Sequence, residues 1–582
     1  MLKLARFLKK YRLQVILGPI FKLTEAIFEL IVPLVTAHII DNGVRTGDVQ
    51  YVWRMGGVML LLGVVGLGCA LVCQKMASIA SQGFGTVLRD ELYHHINTFS
   101  HTEIDKFGTP SLITRITNDV NQLQYAVAML IRLVIRAPFL ALGAVIMAMT
   151  IDLQLSLVFL VATPLIALVL YVIMSRSVPY FKVMQKKLDK ISLISREGLS
   201  GARVIRAFSK QESEEERFQL AANEQTDTAI RVAKLSALLN PLTYLIMNFA
   251  VIAIVWFGGS RVSAGGMTQG EVIAFVNYMS QILLALIVVA NLVVTFTKAA
   301  ASAARVNEVL DTQPSVVEGC GASDPVKRSP KIAFEQVSFS YTGHAGENQE
   351  KYAVKDLTFT IEKGQTIGII GGTGSGKSTL IGLIPRFYDA TQGQVRVDGI
   401  NVKEYTFAQL RGKIGMVPQH AELFSGTIES NLRWGNERAA PEDLDRALRI
   451  AQAKEFVDRL PERLQSKVSQ GGKNFSGGQK QRLTIARALT GNPEILILDD
   501  SASALDFATD AALRRALKTE TKRMTVLMVS QRASTVKAAD QIIVMDDGRI
   551  AGIGTHQQLM EQCEVYREIC LSQLSKEEAE RA

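Results

Sequence analysis

Phe475-Ser476-Gly477-Gly478-Gln479-Lys480 is the stretch on which the reading of the fold turns, because of what stands on either side of it. Upstream lies Gly371-Gly372-Thr373-Gly374-Ser375-Gly376-Lys377-Ser378-Thr379, and downstream the apolar run Ile495 to Leu498 ends in Asp499. The upstream loop follows a buried-strand signal, Ile367 to Ile370, and opens a helical pattern, Ser378 to Ile384. That context separates a phosphate-binding loop from a chance GxxxxGKS match. Its glycines let backbone amides wrap phosphates, and the helix start adds a favourable dipole. Lys377 is placed to reach the β and γ phosphates, and Ser378 to hold magnesium. Ser476 to Gln479 is a polar turn before a helix, of the kind used to reach a nucleotide on a facing subunit. A chain built this way is expected to work in a pair.

At 582 residues the chain has room for more than one domain, and its 48% hydrophobic content is high for a purely soluble protein. The excess lies in the first half. A net charge of +9 raises nucleic acid as a partner, but many of the basic residues precede or separate apolar spans, where the positive-inside rule puts them. No nucleic acid partner is expected. Cys69, Cys73, Cys320, Cys563 and Cys570 are odd in number and lack CxxC or metal-ligand spacing, so neither a disulfide framework nor a zinc site is read.

Apolar runs near Val15 to Ile40, Met55 to Ala80, Ala126 to Ile151, Leu153 to Met174, Leu238 to Phe257 and Val272 to Phe296 are each long enough to cross a core of about 30 Å. About six spans are expected. Lys22, Glu25 and Glu29 interrupt the first, and intramembrane carboxylates such as Glu25 and Glu29 are candidate cavity residues, with a structural pairing to Lys22 as the other reading. Lys3, Arg6, Lys9, Lys10 and Arg12 precede the first span, and Lys182, Lys186, Lys187, Lys190, Arg196, Arg203, Arg206 and Lys210 crowd the connection between the fourth and fifth. Both places should be cytoplasmic. Leu4, Phe7, Leu8 and Tyr11 share one helical face, as in an interfacial helix. Gly83 to Gln124 and Pro179 to Lys234 are too long for loops and read as helices continuing the spans into the cytosol.

Taken in this order, the spans, phosphate loop, signature turn and apolar strand resemble a half-transporter of the ABC exporter family, over essentially the whole chain. The resemblance implies an α-helical membrane domain over 1–310, a Pro/Gly/Ser/Asp-rich linker over 311–330 and a nucleotide-binding domain over 331–582. That last domain is an α/β P-loop NTPase cassette with an antiparallel β subdomain and a helical subdomain. Phe107-Gly108 with Leu112, Arg115, Asn118, Asp119 and Val120 is similar to the family's first cytoplasmic loop. Glu197, Gly201, Arg203, Val204, Ile205, Arg206, Ala207 and Phe208 are similar to the second, and such loops dock on the cassettes. Tyr341 is in the place of the aromatic that stacks on adenine. Gln419 matches the glutamine that contacts magnesium and water, Asp499 the metal-binding aspartate, and Asp506 a residue that communicates between the paired sites.

Two positions depart from the family pattern. Asp500 stands where glutamate is usual, one methylene short of the attacking water, and Gln531 stands where histidine is usual, with an amide that cannot gain a proton near neutral pH. Gln470 and Gly471 also replace the usual glutamate and arginine. With the signature Ser476, Gly477, Gly478 and Gln479 intact, the chain resembles the degenerate-site subunit of heterodimeric bacterial multidrug-type exporters. The resemblance implies ATP and Mg2+, a second half-transporter as partner, and a multi-pass place in the cell's inner membrane with both termini cytoplasmic. The cargo would be amphipathic small molecules, lipids or peptides, with hydrolysis mainly at the partner's site. A homodimer with Asp500 as a working carboxylate, and an importer on the same fold carrying for example an iron chelate, remain open at this stage.

Overall fold

The computed structural model describes residues 2–322, 328–341, 352–501, 503–520 and 523–573; residues 323–327 of the expected linker and 574–582 of the expected cassette lie outside these. The chain divides into two compact units, Met1–Asn97 with Thr109–Thr312, and Thr98–Gly108 with Gln313–Ala582.

The first unit is helical: α1 (Arg12–His38), α2 (Val49–Asn97), α3 (Thr109–Ile151), α4 (Leu157–Ser200), α5 (Gln211–Ser263) and α6 (Gln269–Asp311). Among the described residues five helices, α2 to α6, are long and apolar enough to cross a membrane, where about six were expected. The difference is α1, in which every 18-residue stretch contains Lys22, Glu25 and Glu29 together. Charge inside hydrocarbon is costly, so α1 qualifies only with the help of its neighbours. α1 packs on α6 and on the turn before it. Ala26, Leu30 and Ala37 are buried, the Tyr278 hydroxyl of α6 donates to Leu30 O at 2.8 Å, and Asp41 accepts from Thr268 Oγ1 at 2.6 Å and Gly270 N at 2.9 Å. Helices α2, α4 and α5 run well past their apolar portions, as the lengths of the cytoplasmic connections demanded. A short helix, Ala202–Ala207, joins α4 to α5 and leaves Val204 and Phe208 exposed.

The second unit holds two main sheets among its described residues. One is antiparallel, in the order β2-β1-β4-β5, from β1 (Ile332–Phe339), β2 (Val354–Ile361), β4 (Gln392–Val397) and β5 (Ile400–Asn401). The other, in the order β12-β11-β3-β10-β9-β6, combines β3 (Thr366–Gly371), β6 (Ile414–Val417), β9 (Ile495–Asp499), β10 (Thr525–Ser530), β11 (Gln541–Asp546) and β12 (Arg549–Gly554). A small pair, β7 (Gly426–Thr427) and β8 (Lys467–Val468), lies apart. All pairings in the second sheet are parallel except β11 with β12. Strands β9 and β10 are buried at every residue, which is why they read as unbroken apolar runs rather than alternating ones.

Residues Thr98–Gly108 belong to this unit. Their helix, His101–Phe107, is opened by Ser100, whose N and Oγ both donate to Glu103 Oε2. Ser315 N donates to the other Glu103 oxygen at 3.2 Å. His101 stacks on Phe387 with centroids 4.3 Å apart, and the Tyr388 hydroxyl donates to Asp105 at 3.1 Å.

An ion cluster ties the two sheets together. Lys331, 2% exposed, reaches Asp398 at 2.7 Å and Glu494 at 2.5 Å, and Lys413 reaches the second Asp398 oxygen at 2.5 Å. Asp398 follows β4, while Lys413 and Glu494 immediately precede β6 and β9. Burial pushes the Asp398 carboxyl up, but the bonds to Lys331 and Lys413 more than reverse this and hold it below the ordinary carboxylate range. Asp398→Ala would leave the buried Lys331 with Glu494 alone and remove the carboxylate partner of Lys413, and should cost about 1.5–3 kcal/mol, read as a lower thermal unfolding midpoint of the purified full-length protein. A depressed pKa contributes stability that is complete above the unfolded value of about 4 and fades as pH falls through the folded one. Mutant and parent midpoints should therefore converge in strong acid.

Candidate functional site

In a parallel sheet every strand delivers its carboxyl end to the same edge, and ligands bind there. Here β3, β10, β9 and β6 are neighbours in that order. The edge therefore collects Gly371 at the end of β3, Gln531 after β10, Asp499 and Asp500 at the end of β9, and Pro418-Gln419 after β6.

The loop after β3 closes on its own lysine. Lys377 Nζ donates to Gly371 O at 3.0 Å, Gly372 O at 2.6 Å and Ser375 Oγ at 3.3 Å. Gly376 has φ +92°, and a Cβ there would lie 2.7 Å from Ala353 O, so both the turn and the close approach require glycine. Thr373 and Gly374, the latter at φ +82°, form the tip of the loop, and the helix Lys377–Leu383 carries Ser378 and Thr379. Ser378 Oγ donates to Asp499 Oδ1 at 3.3 Å. A hydroxyl and a carboxylate side by side, next to an ammonium held by loop carbonyls, form a donor set that fits magnesium and phosphate oxygens.

Electrostatics binds these groups into one site. Burial lowers Lys377, against the pull of Asp500 and Asp499. Burial likewise raises Asp499, with the Ser378 bond opposing and the Asp500 charge adding to the rise. Asp500 is also raised by burial, opposed by the Arg532 and Lys377 charges. Its backbone is left-handed at φ +43°, an uncommon state for a residue with a side chain. Its N donates to Val529 O at 3.0 Å, and its carbonyl accepts from Ser503 N and Oγ. Those bonds brace a strained residue at the point where β9 ends.

Gln531 is exposed, and its backbone is bracketed from the far end of the cassette. Gln573 Nε2 donates to Gln531 O at 2.7 Å, and Gln573 Oε1 accepts from Ala533 N at 2.9 Å. Gln419 is exposed after β6. Tyr341 flanks the loop helix, sharing a hydrogen bond of 2.9 Å with Thr379 Oγ1 and meeting Tyr388 edge-on at 5.3 Å. It is 49% exposed, so part of its ring is open to a ligand.

The signature turn opens the helix Gly477–Thr490. Ser476 is its cap, accepting from Gln479 N at 3.3 Å, while Ser476 N donates to Gln479 Oε1 at 2.9 Å. A side chain at Gly477 would meet open space, and one at Gly478 would lie 3.2 Å from Ala504 O. Asp506 accepts from Thr509 N and Oγ1 at the start of Phe507–Glu520, so the structure uses it as a helix cap. Thus the loop residues, Asp499 and Asp500 meet in one place, and among the described residues no hydrogen bond or ion pair joins Ser476 to Gln479 to them.

In the first unit Glu25 accepts Lys22 Nζ at 2.7 and 2.5 Å, and Glu29 accepts Arg136 Nη2 at 2.6 Å. Neither carboxylate is free. Lys22 was visible as a partner from its spacing; Arg136 was missed, although an arginine at the start of an apolar span facing a carboxylate in another was a usable signal. Gln573 was missed because an isolated glutamine near the end of a chain carries no pattern.

Comparison with known proteins agrees with this geometry. Residues 15–286 match the ABC transporter transmembrane region, and residues 354–503 match the ABC transporter family. The chain is 39% identical to an uncharacterised ABC transporter ATP-binding protein of Mycobacterium tuberculosis, over 98% of this chain and 97% of that one. It is 31% identical to an ATP-dependent lipid A-core flippase of Chromobacterium violaceum, over 96% and 94%. A bacterial Atm1-family ABC exporter solved with ATP bound shares the fold, at 24% identity and a TM-score of 0.76 over 97% and 98% of the two chains. The chain belongs to the ABC transporter family. It is a multi-pass membrane protein with the ABC exporter fold, and its cassette uses ATP with Mg2+.

When bound, Mg2+ would supply positive charge that offsets that of the phosphates. Ser378 and Asp499 are the residues that would hold it. Gly376→Ala puts a Cβ against a carbonyl in a backbone state closed to alanine, so it should weaken ATP binding about tenfold or more, measured by titration with a fluorescent ATP analogue.

Proposed function

We propose that this chain is one half of a heterodimeric, ATP-driven exporter that moves amphipathic small molecules, lipids or peptides out of the cytoplasm or inner leaflet. It would sit in the cell's inner membrane with both termini cytoplasmic, the side favoured by the basic residues before α1 and between α4 and α5. The relative that is a lipid A-core flippase supports an amphipathic cargo.

The observation that carries the asymmetric reading is the chemistry at the end of β9 and β10. A working site needs a carboxylate that reaches the attacking water and a group that can share a proton. Asp500 is a methylene short and held in a left-handed backbone. Gln531 cannot titrate. This chain's own site, formed by Tyr341, Gly371 to Thr379, Asp499, Asp500, Gln531 and Gln419, would hold ATP and hydrolyse it slowly. Tyr341 would stack on adenine with its open ring face. Ser476, Gly477, Gly478 and Gln479, whose outer face is open at Gly477, would complete the site of a partner that keeps glutamate and histidine. Asp506 would report between the two sites, and exposed Val204 and Phe208 suit docking on a cassette.

ATP binding favours joined cassettes, and hydrolysis at the partner's site releases them. Differential affinity for the two states is enough to drive the membrane half.

In the heterodimer, Asp500→Ala should leave turnover within about twofold, while Ser476→Ala should lower it by roughly 10² or more, both read as magnesium-dependent ATPase in lipid nanodiscs. The chain alone should turn over weakly. Full turnover alone, abolished by Asp500→Ala, would establish a homodimer with Asp500 as its catalytic carboxylate.

A further inference from the structure

Two carboxylates one turn apart in a membrane helix suit a cationic cargo only if they are free. In this chain Lys22 takes both oxygens of Glu25, and Arg136 takes Glu29. What is left over is positive. Arg132, one turn before Arg136, has no hydrogen-bond or ion-pair partner among the described residues. It lies in a π-helical turn, Leu130–Val134, a wide turn of the kind that recurs at functional sites.

The turn that carries Arg132 packs on the helix that carries Lys22, Glu25 and Glu29. Ile131, next to Arg132, packs so closely on α1 that a Cβ at Gly18 would lie 2.5 Å from Ile131 Cγ2. Lys22, Glu25 and Arg132 all lie within electrostatic reach of the buried Cys73 of α2. Gln281 of α6 closes the cluster, donating from Nε2 to Glu29 O at 3.1 Å. Two buried polar atoms here have no partner, Arg136 Nε and Gln281 Oε1. The cluster thus holds three cations against two carboxylates, with a spare donor on Arg136 and a spare acceptor on Gln281.

Surplus charge among membrane-spanning helices is costly unless something neutralises it, and intramembrane charges mark substrate paths. We propose that Arg132 and Arg136, beside the Lys22–Glu25 pair, form a recognition site for an anionic amphiphile, with Arg132 and Arg136 Nε meeting a phosphate-type headgroup. Gln281 Oε1 accepts from a hydroxyl of the same headgroup. The apolar tail follows from the site's place among spanning helices, which a bare anion reaches only through water. This narrows the cargo of the proposed exporter and rests on the reading that the cluster lines its path.

The test is equilibrium binding to the purified full-length protein in detergent, which needs no hydrolysis and so separates this proposal from the assignment of the ATP sites. The probe is a fluorescent lysophosphatidylglycerol, with lysophosphatidylcholine of the same chain and a cationic alkylammonium as comparisons. The anionic probe should bind at least about tenfold tighter than either. Arg132→Gln should weaken it about tenfold, Arg132→Lys should restore most of that loss, and Glu29→Gln, which frees Arg136, should tighten it. Opposite signs for Arg132→Gln and Glu29→Gln are what a merely structural cluster would not produce. Equal binding of the three probes, preference for the cation, or loss in both variants would overturn the proposal. Displacement by glycerol phosphate at the concentration of the lysolipid would overturn its amphiphile half, by showing a site for the bare anion.

Discussion

Strands β9 and β10 are covered on both faces, and that single constraint organises the cassette. A strand with no solvent face has nowhere to put a polar side chain except its end. The chemistry of this protein therefore appears where strands stop: Asp499 and Asp500 after β9, Gln531 after β10, Gln419 after β6, and the phosphate loop after β3. Because these strands run parallel and adjoin, stopping in the same direction means stopping in the same place. Ser378 meets Asp499 at 3.3 Å for this reason.

On the proposed reading, the same edge keeps its binding parts while its hydrolytic parts differ from the family pattern. Lys377, Gly376 and Ser378 are held by backbone geometry and by one another, so the cradle survives changes at neighbouring strand ends. In that reading Asp500 and Gln531 would contribute by reach and by proton affinity, which a single methylene or an amide for an imidazole would alter without disturbing the sheet. Asp500 feels Lys377 and Arg532, so it still belongs to the site electrostatically. Its left-handed backbone is braced by Val529 and Ser503 rather than relaxed.

The membrane unit obeys the complementary rule. Where helices lie in hydrocarbon, charges persist only when something answers them. Lys22 answers Glu25 and Arg136 answers Glu29, while Arg132 has no ion-pair partner among the described residues. The failure of α1 to qualify as a span by composition and the presence of that cluster have one cause: the charges that spoil its hydropathy are the ones that its neighbours complete.

The sequence by itself determined the class of fold, the phosphate loop, the signature turn and the two departures at Asp500 and Gln531, because these are local: they depend on residue type, spacing and the apolar runs around them. It also placed Tyr341, Ser378 and Asp499 by motif. Only the tertiary structure decided which charges pair, since Glu29 and Arg136 are far apart in the chain, and which distant residue braces a strand end, as Gln573 does for Gln531. Asp506 shows the difference plainly. Its motif suggests communication between sites, and the fold adds a local task that the motif did not show, the capping of Phe507–Glu520. Pairing across helices depends on where side chains arrive in space, and no periodicity along the chain encodes that.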